Sequence, residues 1–289
     1  MPSVAVLRPM LMLSDGWRLV RGLSCLGGAA ATVLGAYLYG GFPAVLSART
    51  AEAVAVVAAV VGSSNAINDI RDVDNDRIDK PDRPLPAGRL SLRTAFGIAT
   101  GSAAVAFGLA AFIGFLAVAQ AIVTLLVGWL YSFRLKGTVL IGNAIVALLD
   151  GYCVTFGALC TGGLTSRVIA ASIFVFLFCF AYLVLLTARD YYADGVAAIR
   201  TVATVLGERG AILVFEFLAI AMSIALILPA LLGWFSSYYL IAILITVVCP
   251  MLTAALLVSL KTGATAMAAA ILILRLSWFP GIAGLMLLR

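Results

Sequence analysis

Residues 167–187 read RVIAASIFVFLFCFAYLVLLT, with one charged residue at the first position and none after it. A membrane-spanning helix needs about 20 mainly apolar residues. Similar stretches recur along the whole chain, which is 64% apolar and 11% charged over 289 residues. A soluble domain is about 45–50% apolar and about 25% charged. The sequence therefore predicts an all-α integral membrane protein, folded as a single transmembrane domain over residues 1–289.

Hydropathy predicts about nine spans, separated by short connections that often contain Gly, Pro or Ser. Two connections are longer and polar, at about 68–91 and about 188–209. Irregular backbone and charge are expected there, because lipid cannot hydrogen-bond exposed peptide groups. We call these segments loop one and loop two. The predicted spans are 19–39, 51–68, 92–112, 115–133, 138–160, 167–187, 210–231, 237–258 and 264–287.

The basic residues are unevenly distributed among the predicted connections. The N-terminal segment and the loops after spans 2, 4, 6 and 8, with their span edges, hold all Lys and Arg residues except Arg49, Arg167, Arg275 and Arg289. An excess of Lys and Arg marks cytoplasmic loops. The N-terminus and both polar loops are therefore predicted to be cytoplasmic and the C-terminus outside, in a bacterial or archaeal plasma membrane. The same bias explains the net charge of +6, so no nucleic-acid partner is predicted.

The cysteine and histidine content excludes several kinds of site. The chain has no histidine, which excludes His-ligated zinc, His-ligated haem and a Ser-His-Asp triad. Its five cysteines lie in apolar stretches without a CxxC pair. We interpret them as small apolar packing residues rather than as disulfides or metal ligands.

Loop one begins with Asn68-Asp-Ile-Arg-Asp-Val-Asp-Asn-Asp76. Asp69, Asp72 and Asp76 are three and four residues apart, so on a helical turn they share one face. Three neighbouring carboxylates repel one another, and Mg²⁺ typically joins one or two carboxylates to substrate phosphates. Asn68 adds a neutral oxygen ligand, while Asp74 is out of phase and is expected to face water. A solvated charge run is the alternative, but six acids between residues 69 and 82 are hard to explain by solubility in a chain with so few.

Loop two carries a second acidic pair. Asp190 and Asp194 are four residues apart and so again share a helical face. Two acidic clusters on one membrane side would hold two or more Mg²⁺ ions around a diphosphate and neutralise it as it leaves. The alternative for loop two alone is a charged helix end.

Basic residues near both loops are candidate diphosphate ligands, since guanidinium and ammonium groups bind phosphate. Arg83 follows loop one in a proline-stiffened segment, and Lys136 follows span 4. An interfacial tyrosine with positive-inside residues is an equally good explanation of the segment around Lys136. The candidate diphosphate ligands are Arg77, Arg83, Lys136, Arg189 and Arg200.

Asp150 lies near the middle of span 5, where an ionised carboxylate is costly and usually faces a cavity or a partner. Three roles are open to it: it stabilises a carbocation, it forms a hydrogen bond with the acceptor substrate, or it pairs with Arg275 in span 9. A purely structural pair is as good an explanation as a functional role.

The motifs together resemble the UbiA superfamily of intramembrane prenyltransferases. The family pattern NDxxDxxxD is matched by Asn68, Asp69, Asp72 and Asp76, and DxxxD by Asp190 and Asp194. Two further elements match: the Pro, Arg and Gly residues of 81–88, and Tyr-Ser…Leu-Lys…Gly-Asn in residues 131–143. Within the superfamily, loop one looks most like digeranylgeranylglyceryl phosphate synthases and chlorophyll-synthase-like members.

The resemblance implies nine helices around a central apolar cavity, capped by the two acidic loops, and Mg²⁺-dependent ionisation of an isoprenyl diphosphate. It makes Asp72, Asp76, Asp190 and Asp194 catalytic. The implied partners are Mg²⁺, which joins carboxylates to phosphates, an isoprenyl diphosphate of about C15–C20, a lipophilic acceptor and membrane lipid. No obligate protein partner is predicted. The implied ligands of metal and diphosphate are Asn68, Asp69, Asp72, Asp76, Asp190 and Asp194.

The chain departs from the family patterns in two places. Relatives often carry Arg-Pro-x-Asn at the start of span 1, where this chain has Arg21, Gly22 and Ser24. In loop two, Tyr192-Ala193 replaces the usual Glu-Gly, and Ala198 replaces a later Gly. These departures concern the acceptor more than the ionisation. The candidate contacts of the acceptor or the cation are Arg21, Ser24, Tyr131 and Asp150.

The leading prediction is transfer of an isoprenyl group to an aromatic or hydroxyl acceptor. The alternative within the superfamily is a membrane terpene cyclase, in which an internal alkene attacks the cation and tyrosines such as Tyr152, Tyr182, Tyr191 and Tyr192 steer it. A secondary transporter is disfavoured because the acids gather at one membrane face. A non-catalytic scaffold is disfavoured by the two in-phase acid sets.

Overall fold

The computed structural model describes residues 13–261 and 263–289. In that part of the chain all regular structure is helical, and nine helices are long and apolar enough to cross a membrane. Two short helices lie in the polar loops. The helices are α1 (Gly22–Val45), α2 (Ala48–Arg71), α3 (Val73–Asp79), α4 (Leu92–Ile113), α5 (Phe115–Leu130), α6 (Ile141–Thr161), α7 (Ser166–Arg189), α8 (Tyr191–Val196), α9 (Val202–Leu231), α10 (Ser237–Leu260) and α11 (Ala264–Leu285).

The structure confirms the predicted integral membrane fold, and two boundaries differ most from the prediction. Helix α1 continues beyond the predicted end at residue 39 to Val45, with a kink at Gly41, whose φ of 71° lies in the left-handed region. Helix α9 begins at Val202, eight residues before the predicted start of its span, and kinks at Gly207 (φ 78°). Glycine tolerates these angles because it has no β-carbon. Loop two is accordingly shorter than predicted.

Short polar side chains begin four of the spanning helices. Ser91, Thr165, Thr201 and Ser236 each accept a hydrogen bond from the backbone N–H three residues later. This contact satisfies one of the N–H groups that a helix start leaves unpaired. At α9 it is reciprocal, because the Thr204 hydroxyl in turn accepts a hydrogen bond from the backbone N–H of Thr201 at 2.7 Å. The capped start explains why the helix begins at Val202.

Two spans contain π-helical turns. Tyr131–Leu135 extends α5, and Leu244–Val248 lies within α10 just before Pro250. The wider π-turn lacks the regular backbone pattern and often marks a functional position or accommodates a local disruption. In α5 it carries the Tyr131-Ser132 motif residues, and the Ser132 hydroxyl donates a hydrogen bond to the carbonyl of Gly128 at 3.2 Å.

The described residues group into two compact units. The first contains residues 13–29 and Glu52–Arg134. Part of its core lies under loop one, where Leu19 and Ile67 are buried with Leu85 and Leu90. Burial of these side chains removes apolar area from water at about 25 cal/mol per Å². Loop one is thus packed against its unit through buried apolar side chains.

The second unit contains Ala30–Ala51 and Leu135–Arg289. In it, α7 packs against α6 and α9, and α11 packs against α10. The α1 and α6 backbones approach closely at two glycines: a β-carbon at Gly157 would lie 2.0 Å from the Thr32 carbonyl oxygen, and one at Gly35 would lie 1.8 Å from that of Val154. Small residues permit this close helix packing inside membranes.

Candidate metal–diphosphate site

Loop one buries the three aspartates that the spacing placed on one face. Asp69, Asp72 and Asp76 are 3%, 6% and 5% exposed. Helix α2 ends at Arg71, and α3 starts after Asp72 with the backbone N–H of Asp76 bonded to the Asp72 carbonyl at 2.8 Å. The two helices therefore meet at the acid cluster. Asp74 and its ion-pair partner Arg77 lie on the exposed side instead, 2.6 Å apart.

Two arginines contact the buried carboxylates. Arg83 Nη1 lies 2.6 Å from Asp76 Oδ2 and 3.2 Å from Asp69 Oδ1. Arg21 Nη2 donates to Asp69 Oδ1 at 2.6 Å and to Asn68 Oδ1 at 2.8 Å. Buried carboxylates require such compensation, because an unpaired buried charge is strongly unfavourable. Arg21 was predicted only as an acceptor or cation contact, whereas its guanidinium reaches the acid cluster.

Burial also affects the ionisation of Asp76. Desolvation raises the pKa of this carboxyl above its ordinary value, and the neighbouring Arg83 acts in the opposite direction. Asp76 thus lies where additional positive charge would favour its ionised form. Such a charge is what a divalent cation supplies.

Arg21 is held in place by an unusual backbone turn. Its φ of 52° is left-handed, which is uncommon for a residue with a side chain. The preceding carbonyl of Val20 accepts a hydrogen bond from the Asn65 side-chain amide at 3.0 Å. The turn separates the helical residues 13–19 from α1. Ser24, also predicted as a contact, is exposed one turn into α1.

A second set of contacts attaches the N-terminal segment to the end of loop one. Asp15 is 6% exposed and pairs with Arg89 at 2.9 Å. Arg18 and Arg89 both donate to the backbone carbonyl of Asp82 at 2.8 Å. Sequence reasoning missed these residues, because the ion pair joins positions 74 apart in the chain with no local pattern. Their role is to hold the loop that carries Arg83.

Loop two places Asp190 and Asp194 on consecutive turns. Asp190 ends α7, and the backbone N–H of Asp194 bonds to its carbonyl at 2.8 Å. Both side chains are half-buried. Arg189 donates through Nε and Nη2 to the two oxygens of Asp190 at 2.6 and 2.7 Å. This is the bidentate geometry that guanidinium forms with carboxylates and phosphates.

Lys136 lies in the second unit together with loop two. The adjacent Gly137 lies next to loop two, because a β-carbon there would be 3.9 Å from the backbone nitrogen of Arg200. The Lys136 side chain is half-buried, and that of Arg200 is exposed. The turn after α5 and the end of loop two are therefore neighbours. Tyr131, five residues earlier, belongs to the first unit.

Asp150 lies near the middle of α6, half-buried, and is hydrogen-bonded to the thiol of Cys179 in α7. It does not form the considered ion pair with Arg275, whose Nε donates to the Tyr182 hydroxyl at 2.9 Å. A second intramembrane carboxyl was missed by sequence reasoning: Glu216 in α9 has a buried Oε1 without a hydrogen-bond partner among the described residues. The acids therefore do not gather at one membrane face alone.

The Asp and Asn oxygens of loop one and loop two fit Mg²⁺ only together with phosphate oxygens. Within residues 13–261 and 263–289, no three His, Cys, Asp or Glu side chains form a ready metal-ligand group. Mg²⁺ usually takes one or two carboxylates plus substrate phosphates and water rather than a complete protein cage. Carboxylates that are buried and contacted by arginines suit that partial coordination. An all-helical membrane protein with two acidic loops of this kind has the architecture of an intramembrane prenyltransferase.

Comparison with known proteins defines the family. The model of the UbiA prenyltransferase family matches residues 28–279. The chain is 34% identical over 219 residues to digeranylgeranylglyceryl phosphate synthase of Methanopyrus kandleri, covering 75% of this chain and 79% of the relative. The chain belongs to the UbiA prenyltransferase family, as the motifs predicted, and is a membrane enzyme that transfers isoprenyl groups.

Solved structures agree with this fold. A structure from work on digeranylgeranylglyceryl phosphate synthase in membranes has a TM-score of 0.72 at 24% identity, covering 95% of this chain and 97% of that one. A UbiA homologue from Archaeoglobus fulgidus, bound to GPP and Mg²⁺, has a TM-score of 0.68 at 19% identity, covering 94% and 99%. At these identities the likeness establishes the shared helical architecture.

Proposed function

We propose that this enzyme transfers an isoprenyl group of about C20 from its diphosphate to a hydroxyl of a lipophilic glyceryl phosphate, with Mg²⁺ bound through carboxylates and phosphates. The observation that carries the proposal is the buried in-phase set Asp69, Asp72 and Asp76. The relatives named digeranylgeranylglyceryl phosphate synthases support the substrate class. Their product bears two geranylgeranyl chains, so its precursors are the diphosphate of one chain and a glyceryl phosphate bearing the other.

The two acid sets are proposed to act on one diphosphate. Both follow even-numbered spans, so a chain crossing the membrane nine times returns to one face at each of them. The charge bias predicts that this face is cytoplasmic. The relatives named above are archaeal, which favours an archaeal plasma membrane. Asn68, Asp69, Asp72 and Asp76 would provide one half of the ligand set, and Asp190 and Asp194 the other.

Bound Mg²⁺ would supply electrostatic stabilisation of the leaving diphosphate. The basic residues would add hydrogen bonds as negative charge accumulates on its oxygens. Arg83 and Arg21 already lie at the first acid cluster. Lys136, Arg189 and Arg200 lie at or beside loop two. Arg77 pairs with Asp74 on the exposed side and would have to leave that pair to bind diphosphate.

The transfer breaks the bond between C1 of the isoprenyl chain and the diphosphate oxygen, which keeps the electron pair. The hydroxyl oxygen of the acceptor then forms a bond to C1, giving an ether. The chain contains no histidine, and the proton is proposed to pass to a carboxylate or to an oxygen of the departing diphosphate. The apolar spans would keep water from the allylic cation, which water would otherwise trap as an alcohol.

Cyclisation without an acceptor is not favoured. Two of the tyrosines considered for cation steering, Tyr191 and Tyr192, are 42% and 79% exposed on the surface of α8. A ring that stabilises a cation must be positioned against it and shielded from water. The relatives are also named for a glyceryl phosphate product.

The test uses purified protein with geranylgeranyl diphosphate, Mg²⁺ and geranylgeranylglyceryl phosphate, followed by mass spectrometry. We expect a product that carries two geranylgeranyl chains and that disappears when EDTA is added. A parallel reaction with a lipophilic phenol as the acceptor tests the aromatic class. Efficient prenylation of the phenol, without ether formation on the glyceryl phosphate, would refute the proposed acceptor.

A further inference from the structure

A cation lies inside the membrane span α11 without a carboxylate partner among the described residues. Arg275 is the twelfth residue of α11, its side chain is exposed, and its Nε donates to the Tyr182 hydroxyl in α7 at 2.9 Å. Intramembrane arginines are costly and generally mark a binding position or a pathway. The hydrogen bond fixes the guanidinium while its exposure leaves N–H groups accessible to another molecule. The second unit thus presents an oriented cation within the membrane.

Packed apolar side chains lie one helical turn away from this cation. Phe178 is four residues before Tyr182 on α7, and Trp278 is three residues after Arg275 on α11. The rings of Phe178 and Trp278 are in contact, with centroids 5.5 Å apart. They line a small apolar gap of about 20 Å³, together with the buried side chains of Phe174, Leu226, Ile282 and Leu285. The surroundings of Arg275 on this side are therefore apolar.

A cation in apolar surroundings inside a span matches the anionic head of an amphiphile that itself lies in the membrane. We propose that Arg275, oriented by Tyr182, binds the phosphate of the acceptor lipid. This inference rests on the proposed function, since it assigns the acceptor of that reaction to these residues. Guanidinium is suited to this role, because it binds phosphate through paired N–H groups.

The position of Tyr182 along α7 agrees with this role. Tyr182 precedes Asp190 by eight residues, which is about 12 Å along a helix. The space between Asp190 and Tyr182 must contain the carbon that bears the diphosphate and the attacking hydroxyl, about 3 Å from that carbon. It must also contain the short glyceryl link from the hydroxyl to the acceptor phosphate. A phosphate at Arg275 would therefore leave its hydroxyl between the cation and loop two.

The kinetic test compares geranylgeranylglyceryl phosphate with geranylgeranylglycerol, the same acceptor without phosphate, at a fixed concentration of geranylgeranyl diphosphate. We expect Arg275→Gln to raise the KM of the phosphate acceptor about tenfold or more, as for loss of a charged hydrogen bond. The KM of geranylgeranyl diphosphate and the kinetics of the alcohol should change less than about twofold. Arg275→Lys should recover part of the loss, and Tyr182→Phe should show a smaller increase.

Arg167→Gln is the matched control, because Arg167 is also an exposed arginine but lies at the other end of α7. It should leave both KM values unchanged. If Arg275→Gln keeps the wild-type preference for the phosphate acceptor over the alcohol, the inference is wrong.

A binding test separates this inference from the proposed function. The phosphate acceptor should raise the melting temperature of the wild type but not that of Arg275→Gln, and the alcohol should raise neither. If these shifts are observed but no ether product forms, the phosphate site stands and the proposed reaction is refuted. Phosphatidic acid tests whether Arg275 binds the phosphate of any membrane lipid. If it raises the melting temperature as much as the phosphate acceptor does and does not inhibit the reaction, the site is a general lipid site and the acceptor assignment is wrong.

Discussion

At the scale of single residues, the helical period predicted which aspartates of loop one share a face. Asp69, Asp72 and Asp76 share a face by spacing alone, and the structure buries all three. Asp74 is out of phase, and its side chain is 82% exposed. The prediction succeeded because α3 follows α2 after a single residue, Asp72, so the helical spacing continues across the junction.

The difference between in-phase and out-of-phase aspartates is testable by substitution. Asp72→Asn should lower kcat/KM for prenyl transfer at least about 100-fold, because electrostatic stabilisation of the leaving group is lost. Asp74→Asn, two residues away, should stay within about twofold of the wild type, since an exposed ion pair contributes little. Steady-state kinetics at saturating Mg²⁺ measure both variants, and size-exclusion chromatography checks that both remain folded. Equal loss in the two variants would contradict the assignment of the buried face.

Arg83 should contribute to stability as well as to binding. Arg83→Gln leaves Asp69 and Asp76 buried with less compensation and should lower the unfolding free energy by about 3 kcal/mol in EDTA. Mg²⁺ should restore part of that loss by supplying the missing positive charge. Thermal unfolding in EDTA and in Mg²⁺ measures both effects.

Arg77→Gln is the control for this prediction, because Arg77 pairs with Asp74 at the exposed surface. Its effect should be below about 0.5 kcal/mol in either buffer. An Arg83→Gln protein as stable in EDTA as the wild type would show that the buried carboxylates do not need this arginine.

Several site residues had no sequence signal that could have identified them. Arg21 reaches Asp69 through a left-handed backbone turn, and Asp15 meets Arg89 only because the N-terminal segment folds over loop one. Such contacts depend on tertiary structure, which residue spacing does not encode. Glu216 differs from these residues, because a lone acid in an apolar run was a usable sequence signal.

At the scale of helices, hydropathy located the nine spans that residues 13–261 and 263–289 form, because each must satisfy its own backbone in lipid. The ends were less predictable. The start of α9 was placed eight residues late, because the segment between Val202 and Gly210 contains Glu208 and Arg209 and has the composition of a loop. The capping hydroxyl of Thr201 was the better indicator of the boundary.

Loop two contains a strained backbone position at Ala198. Ala198 has a φ of 52°, which costs an L-residue about 1 kcal/mol. Ala198→Gly should therefore leave stability unchanged or raise it slightly. The neighbouring Ala197 has φ −80° and ψ 2°, so Ala197→Gly should destabilise by up to about 1 kcal/mol. Melting temperatures of the two variants test this, and the reverse order would contradict the backbone geometry.

The close approach of α1 and α6 should be sensitive to one methyl group. A β-carbon at Gly157 would lie 2.0 Å from the backbone oxygen of Thr32, which cannot move independently of its helix. Gly157→Ala should destabilise by about 1–3 kcal/mol. Gly101→Ala in α4 is the control, because nothing lies within 4 Å of a β-carbon there. Equal melting temperatures for the two variants would show that the helices can separate at no cost.

At the scale of the whole molecule, the distribution of basic residues predicts the orientation. Ser237 and Lys261 lie at opposite ends of α10 and are both exposed. After the five native cysteines are replaced, a membrane-impermeant maleimide applied to intact cells should label Ser237→Cys but not Lys261→Cys. Permeabilised cells should label both. Labelling of Lys261→Cys alone in intact cells would reverse the predicted topology.

The central claim is that this membrane protein transfers an isoprenyl group, rather than cyclising it or hydrolysing its diphosphate. The most direct measurement is the ratio of diphosphate released to ether product formed, with geranylgeranyl diphosphate, Mg²⁺ and geranylgeranylglyceryl phosphate. We predict one ether per diphosphate with acceptor, and almost no diphosphate release without it. Diphosphate release that does not depend on the acceptor, accompanied by a cyclic hydrocarbon or a free prenyl alcohol, would contradict the claim.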